Sequence, residues 1–349
     1  MRRTLPALVL LVLVGCVPAP DNDPPARPQP ATDEPNSPTH AAVVFDGHLL
    51  CLGKGGETAA WDVKKWEYAK DVGKRFTLKG MVALETDGEK LWAADGGTLF
   101  RWSAKTNEWE KLATFDADKE SVVAVVPVGG VAFVVFPSKV IDPVGKKTFN
   151  APKSWRPLGG PPHRILATHG TDSMLWIGTG NGEWGGELFG LDSKTEKWVE
   201  GNGSGYVTGI THSEKAELIV SWSMSHFTAH TQIQIHKADG EVKTKHDRIE
   251  DKYFQRLAYS KHDEALYGIE SDELVTIKDG KPTKVAKLQG DVLEREPNAM
   301  GAAPGIRDVI PVGQDGRSCP QEWRALVGPK GRRDAAEEAV TVTPGSPPR

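Results

Sequence analysis

Several residue classes are scarce in this chain, and each scarcity removes a class of function. Only three cysteines occur, Cys16, Cys51 and Cys319, and none belongs to a CxxC pair or a Cys/His spacing. That excludes the common zinc modules and dithiol redox sites. Basic runs are missing and the formal net charge is −4, falling to about −6 if Arg2 and Arg3 leave with a leader. Phosphate backbones therefore find little to hold, and no nucleic-acid partner is expected. Hydrophobic residues reach only 38%, below the usual share for a single large core. No nucleophile elbow, paired-carboxylate motif or phosphate loop is present; Gly178, Gly180 and Gly182 form a glycine-rich step, but no helix pattern follows it. What abounds is Gly (37), Pro (25) and Trp (11), a mixture of turns and flat aromatics that favours short strands over long helices.

The N-terminus is built for export. Arg2 and Arg3 precede an apolar stretch over residues 5–14, the length of a signal-peptide core and too short to span a bilayer. It ends in Leu13-Val14-Gly15-Cys16, which resembles a bacterial lipobox. The resemblance implies that Cys16 receives a diacylglycerol, becomes the mature N-terminus and is acylated again (palmitate being the usual chain), which is enough lipid for stable anchoring. The twin arginines lack the flanks of a twin-arginine signal, so general secretion is expected. Val17 is not the aspartate of an inner-membrane retention signal, so residence at the outer membrane, facing the periplasm or the surface, is the expectation. Residues 17–40 are polar and proline-rich, without the apolar surface to offset chain entropy. At ~3.1 Å per residue such a spacer reaches roughly 70 Å. The expected division is a signal over 1–15, lipidated cysteine and tether over 16–40, a folded domain over 41–328 and a charged, then proline-rich tail over 329–349.

The folded part repeats. Apolar third-strand segments ending at Trp61, Trp102, Asp142, Leu191, His236 and Ile277 fall in register at steps of 41, 40, 49, 45 and 41 residues. In the second unit, strands are expected over 80–85, 91–94, 98–102 and 109–113, with Asp87-Gly88 as a hairpin turn. Asp-Gly recurs at residues 46, 239, 279 and 315. Four strands per 40–50 residues is the period of propeller blades, small sheets that bury both faces only by packing radially. After the sixth unit and an irregular stretch over 291–305, residues 306–312 and 322–327 read as two strands of a seventh, with 340–342 as a possible addition. The fold class expected is all-β, a β-propeller of seven blades, with six as the alternative. Trp66, Trp92, Trp109, Trp176 and Trp198 are expected to pack between blades. Cys51 and Cys319 lie in the first and last units, which ring closure makes neighbours, so a Cys51–Cys319 disulfide is expected.

Residues 171–198, with Leu175-Trp176-Ile177-Gly178-Thr179, and more loosely residues 86–110, resemble the repeats of bacterial two-component-regulator-type sensor propellers. The resemblance implies a propeller on the periplasmic side. It brings no ligand, because propellers host binding, scaffolding and catalysis alike.

One irregularity suggests where function sits. From second-strand leucine to third-strand marker, units one, two and six span 12, 11 and 11 residues, whereas units four and five span 16 and 18. Enlarged excursions on adjacent blades are where function is grafted, so Asn181, Glu183, Trp184, Trp222, His226 and His230 are candidate ligand-binding residues for a sugar or peptide. His226 and His230 are four apart, with His212, His236 and His246 in the same unit, but no signature motif supports a metal, neither zinc nor calcium. No cofactor and no catalytic residue is assigned. Asp62, Asp142 and Asp192 sit at comparable turns and are expected to be turn carboxylates. The expected function is a monomeric, membrane-anchored lipoprotein whose propeller binds or scaffolds an envelope protein or glycan. The alternative is a propeller lyase or hydrolase acting on a sugar or ester, which a carboxylate/histidine cluster with shifted pKa values in the axial channel would favour.

Overall fold

A computed structural model describes residues 41–155 and 164–287, apart from Lys54, Trp66 and short segments between strands from residue 181 onward, together with four short strands at 13–14, 306–308, 326–327 and 339–340. Strand β1 (Leu13–Val14) lies in the expected leader. The first blade has three strands, β2 (Ala41–Phe45), β3 (His48–Leu52) and β4 (Thr58–Asp62), followed by helix α1 (Lys70–Phe76). The second comprises β5 (Ala83–Thr86), β6 (Leu91–Ala94), β7 (Thr98–Ser103) and β8 (Glu108–Thr114); the third β9 (Ala124–Val128), β10 (Val131–Val135), β11 (Lys139–Asp142) and β12 (Lys147–Asn150). The fourth comprises β13 (Arg164–Gly170), β14 (Met174–Gly180), β15 (Leu188–Asp192) and β16 (Trp198–Gly201). The fifth holds β17 (Tyr206–His212), β18 (Leu218–His226), β19 (Thr228–His236) and β20 (Val242–Lys245), with β21 (Ile249–Glu250) also paired to β19. The sixth holds β22 (Phe254–Ser260), β23 (Ala265–Glu270), β24 (Glu273–Lys278) and β25 (Lys281–Lys287). All pairing within the blades is antiparallel and, β21 with β19 apart, sequential, as hairpin connections of a few residues require.

The fold is an all-β propeller. Among the described residues six blades form, the number held as the alternative rather than the seven placed first. Where the seventh was expected stands a two-stranded sheet, β26 (Ile306–Asp308) with β27 (Leu326–Val327). Strand β26 lies beside both β22 and β2, between the sixth blade and the first. The sequence there supplies only two apolar runs amid Gly- and Pro-rich stretches, too little for four strands. Strand β28 (Ala339–Val340) pairs with β1, a partner it loses if the chain is cut before Cys16.

Packing explains the period. Every residue of β6 is buried, because its two faces serve different neighbours. Leu91 and Ala93 join a cluster with Val43, Leu50 and Ala60 of the first blade. Trp92 and Ala94 join Val125, Ala132 and Val134 of the third. A strand covered on both sides reads as a continuous apolar run rather than an alternation. Trp176 packs between the fourth and fifth blades, Trp198 between the third and fourth and Trp109 between the first and second. Trp66 lies outside the described residues.

The first blade departs from the pattern. Its outer position is taken by α1, whose Gly73 lies flat on β4: a Cβ there would stand 2.5 Å from the Thr58 carbonyl oxygen. Asp71 in its first turn and Lys74 and Arg75 in its last suit the helix dipole. Phe76 is fully buried and stacks at an angle against Trp102, 4.6 Å between centroids, while its carbonyl accepts from Trp109 Nε1 at 3.1 Å. The face of this blade turned away from the second holds Cys51, buried with Ala42, Leu49 and Ala59. Cys319, its expected partner, lies outside the described residues.

Candidate functional site

A cavity of about 830 Å³ opens where the first strands of blades two to five turn into their second strands. Its frame follows from the sequence. Thr86 ends the inner strand of its blade, Thr171 and Ser213 follow theirs directly, and each hydroxyl serves its own turn. Thr86 Oγ1 donates to the Lys90 carbonyl at 2.9 Å and accepts from Gly88 N–H at 2.9 Å. Thr171 Oγ1 accepts from Met174 N–H at 3.1 Å, and Ser213 Oγ from Glu217 N–H at 3.3 Å. The turns of blades three and four also interlock. Gly170 in β13 leaves 1.7 Å between an imagined Cβ and the Pro127 carbonyl oxygen of β9, so no side chain fits where these inner strands converge.

The turn hydroxyls are engaged, and the lining also presents charged and imidazole side chains. Glu85, Asp87, Glu89 and Asp172 bring carboxylates and Lys90 the one ammonium among the lining residues. Lys90 Nζ lies 6.0 Å from the Trp92 ring centroid, a cation held over an aromatic face. Asp87 Oδ1 accepts from Glu89 N–H at 3.0 Å and Lys90 N–H at 2.7 Å, so part of that carboxylate holds the turn. No ion pair engages Asp87, Glu89 or Asp172 among the described residues.

Two histidines from adjacent blades meet in the same cavity. His169 in β13 is placed opposite Trp176, and His212 ends β17 opposite Leu218. His169 Nε2 and His212 Nδ1 are 2.7 Å apart, with ring centroids at 4.8 Å and planes at 37°. One of the facing nitrogens must carry a hydrogen and the other a lone pair. His169 is half-buried and lines the cavity, yet the protein packed around it desolvates the ring. That burial first, and the neighbouring His212 second, hold its pKa down to about 3, so it is neutral at neutral pH.

Of the residues singled out from the enlarged excursions, those in the described part lie elsewhere. Asn181, Glu183 and Trp184 fall outside the described residues. In the fifth unit the expected loop is instead a continuation of the β18–β19 ladder to the His226↔Thr228 pair: Ser223, Ser225, Thr228 and Thr231 suit paired strands as well as a loop. Trp222 is fully buried among Met174, Trp176, Leu188 and Val220 between blades four and five. His230 is buried opposite Met224, and His226 ends the strand. These residues belong to the opposite end of the strands from the cavity. Sequence reasoning passed over His169 and gave His212 no role. The readable signal was a histidine at or next to the last place of the inner strand in two successive units. No group of three or more His, Cys, Asp or Glu able to hold a metal ion occurs among the described residues. Asp62 and Asp192 serve as turn caps: Asp62 Oδ1 accepts from Lys64 and Lys65 N–H, and Asp192 Oδ1 from Lys194 and Thr195 N–H.

No family model matches the sequence, and no curated protein matches it. Solved structures do. A structure of U3-55K aligns at TM-score 0.52 with 11% identity, covering 89% of this chain and 97% of that one. The computationally designed Ika8 protein aligns at 0.50 with 15% identity, covering 97% and 99%. The extracellular domain of a putative hybrid two-component system from B. thetaiotaomicron aligns at 0.40 with 11% identity, covering 72% of this chain and 40% of that one. The first two share the fold with this chain and, at such identities, nothing more; the third is too distant to add to that.

Proposed function

We propose that this chain is a lipid-anchored protein of the bacterial envelope whose propeller is a binding module, and that the cavity at the inner-turn end of blades two to five receives its ligand. The observation that carries the reading is the cavity itself: a concave, polar-lined space on a rigid ring, where binding groups are grafted on such folds. Cys16 supplies the anchor and residues 17–40 the tether. Cys16→Ser should move the protein from the membrane fraction to the soluble envelope fraction, and crosslinking in intact cells should capture a ligand with the native chain. Replacement of Glu89 and Asp172 by lysine should abolish that capture without altering the fold; unchanged capture would count against this cavity.

The lyase or hydrolase alternative draws on one specific observation, two histidines paired with each other in a cavity that carboxylates also line. A general base works best with a pKa near the operating pH. An imidazole held near 3 is a weak base, and binding therefore ranks first.

A further inference from the structure

The chemistry of the lining narrows the ligand. Three carboxylates without an ion pair among the described residues, Asp87, Glu89 and Asp172, face one ammonium in the cavity, and that ammonium is directed to the indole of its own blade. The two imidazoles do not restore the balance. With facing nitrogens 2.7 Å apart, they share a hydrogen bond only while one lone pair remains, so the pair carries one extra proton at most. A second proton would set N–H against N–H and cation against cation. The space is thus negative at neutral pH even when that one proton is present. It also has room for a small molecule, and its hydroxyls at Thr86, Thr171 and Ser213 are engaged with their own turns. What remains are acceptors, the carboxylate oxygens of Asp87, Glu89 and Asp172.

We propose, building on the reading that this cavity is the binding site, that it takes a primary ammonium group, which donates three hydrogen bonds and carries the charge that the lining lacks. Two sources present that group, a small amine-bearing solute and a lysine side chain of a partner protein. A neutral glycan meets the acceptors but leaves the charge uncompensated, and an anionic one is repelled.

The test is calorimetric titration of the full chain with two matched pairs: glucosamine against N-acetylglucosamine, and a lysine-containing tripeptide against its ε-acetylated form. The ammonium member of at least one pair should bind at least about tenfold more tightly than its acetylated twin. Preference for glucosamine identifies a small solute, and preference for the peptide identifies a partner's lysine. Raising salt from about 0.05 M to about 0.5 M should weaken that binding several-fold. The exposed double variant Glu89→Gln/Asp172→Asn, checked for an unchanged melting curve, should weaken it about tenfold. Equal binding of the acetylated twins, or no effect of the double variant on amine affinity, overturns the ammonium assignment. If no amine binds at about 10 mM while in-cell crosslinking through this cavity still captures a ligand, the assignment alone fails; if neither occurs, the binding reading fails with it.

Discussion

At the scale of single residues, His169 ties the site to the stability of the fold. Its native pKa, about 3, lies below the 6.5 of a free imidazole. Between those values the unfolded chain binds a proton that the native ring refuses, so stability rises with pH across the window and is lost as pH falls from 6.5 toward 3. His169→Gln, which takes up no proton, should flatten that dependence, as read from urea midpoints over the same range; an equally steep fall in the variant would show that His169 is not its source. The turn carboxylates act in the opposite sense. Backbone N–H groups, Lys194 first, hold the Asp192 pKa below its usual 3.8, so its contribution is present above that pH and is lost as the carboxylate protonates. Asp192→Ala should cost about 0.5–1 kcal/mol in chemical unfolding at neutral pH, and Asp192→Asn less. The role of these aspartates was legible, because Asp before a polar tetrad reads as a turn. The histidine pair was not, since its members lie 43 residues apart and only the radial stacking of blades brings them together.

At the scale of elements, the first blade shows how local chemistry overrides a repeat. An outer strand is expected in every unit, yet residues 70–76 carry charges placed for a helix and a glycine where the helix meets β4. Gly73→Ala should cost about 1–3 kcal/mol through collision with the β4 backbone, measurable as a lower thermal midpoint. Gly170→Ala, with 1.7 Å to a carbonyl, should be worse and should also perturb the cavity, because β9 and β13 must separate. Strand positions were readable almost to the residue where the pattern is apolar and periodic: β6 is 91–94 as expected, and all six third strands fall at their markers. The fifth unit was misread because Ser, Thr and His over residues 223–231 carry no hydrophobic alternation, and their strand character comes from the pairing of β18 with β19.

At the scale of the whole molecule, among the described residues six blades form and the two-stranded sheet of β26 and β27 stands at the closure, between the last and the first. Cys51 sits on the face of the first blade turned toward that closure. A Cys51–Cys319 bridge would fasten it, and Cys51→Ser should then lower stability by about 2–5 kcal/mol, with no thiol reactive in the unreduced, denatured mature protein. Two reactive thiols there would exclude the bridge. The repeat made the propeller readable because blade packing imposes a fixed period. Loop length pointed to the end of the strands that carries His226, and the proposed site lies at the other. The most direct measurement of that difference places a photoreactive residue at Ser173, on the cavity rim, or at His226, at the far end of the fifth blade, and irradiates intact cells. Ligand captured from position 173 and not from position 226 is the predicted result; capture from 226 alone would contradict the account.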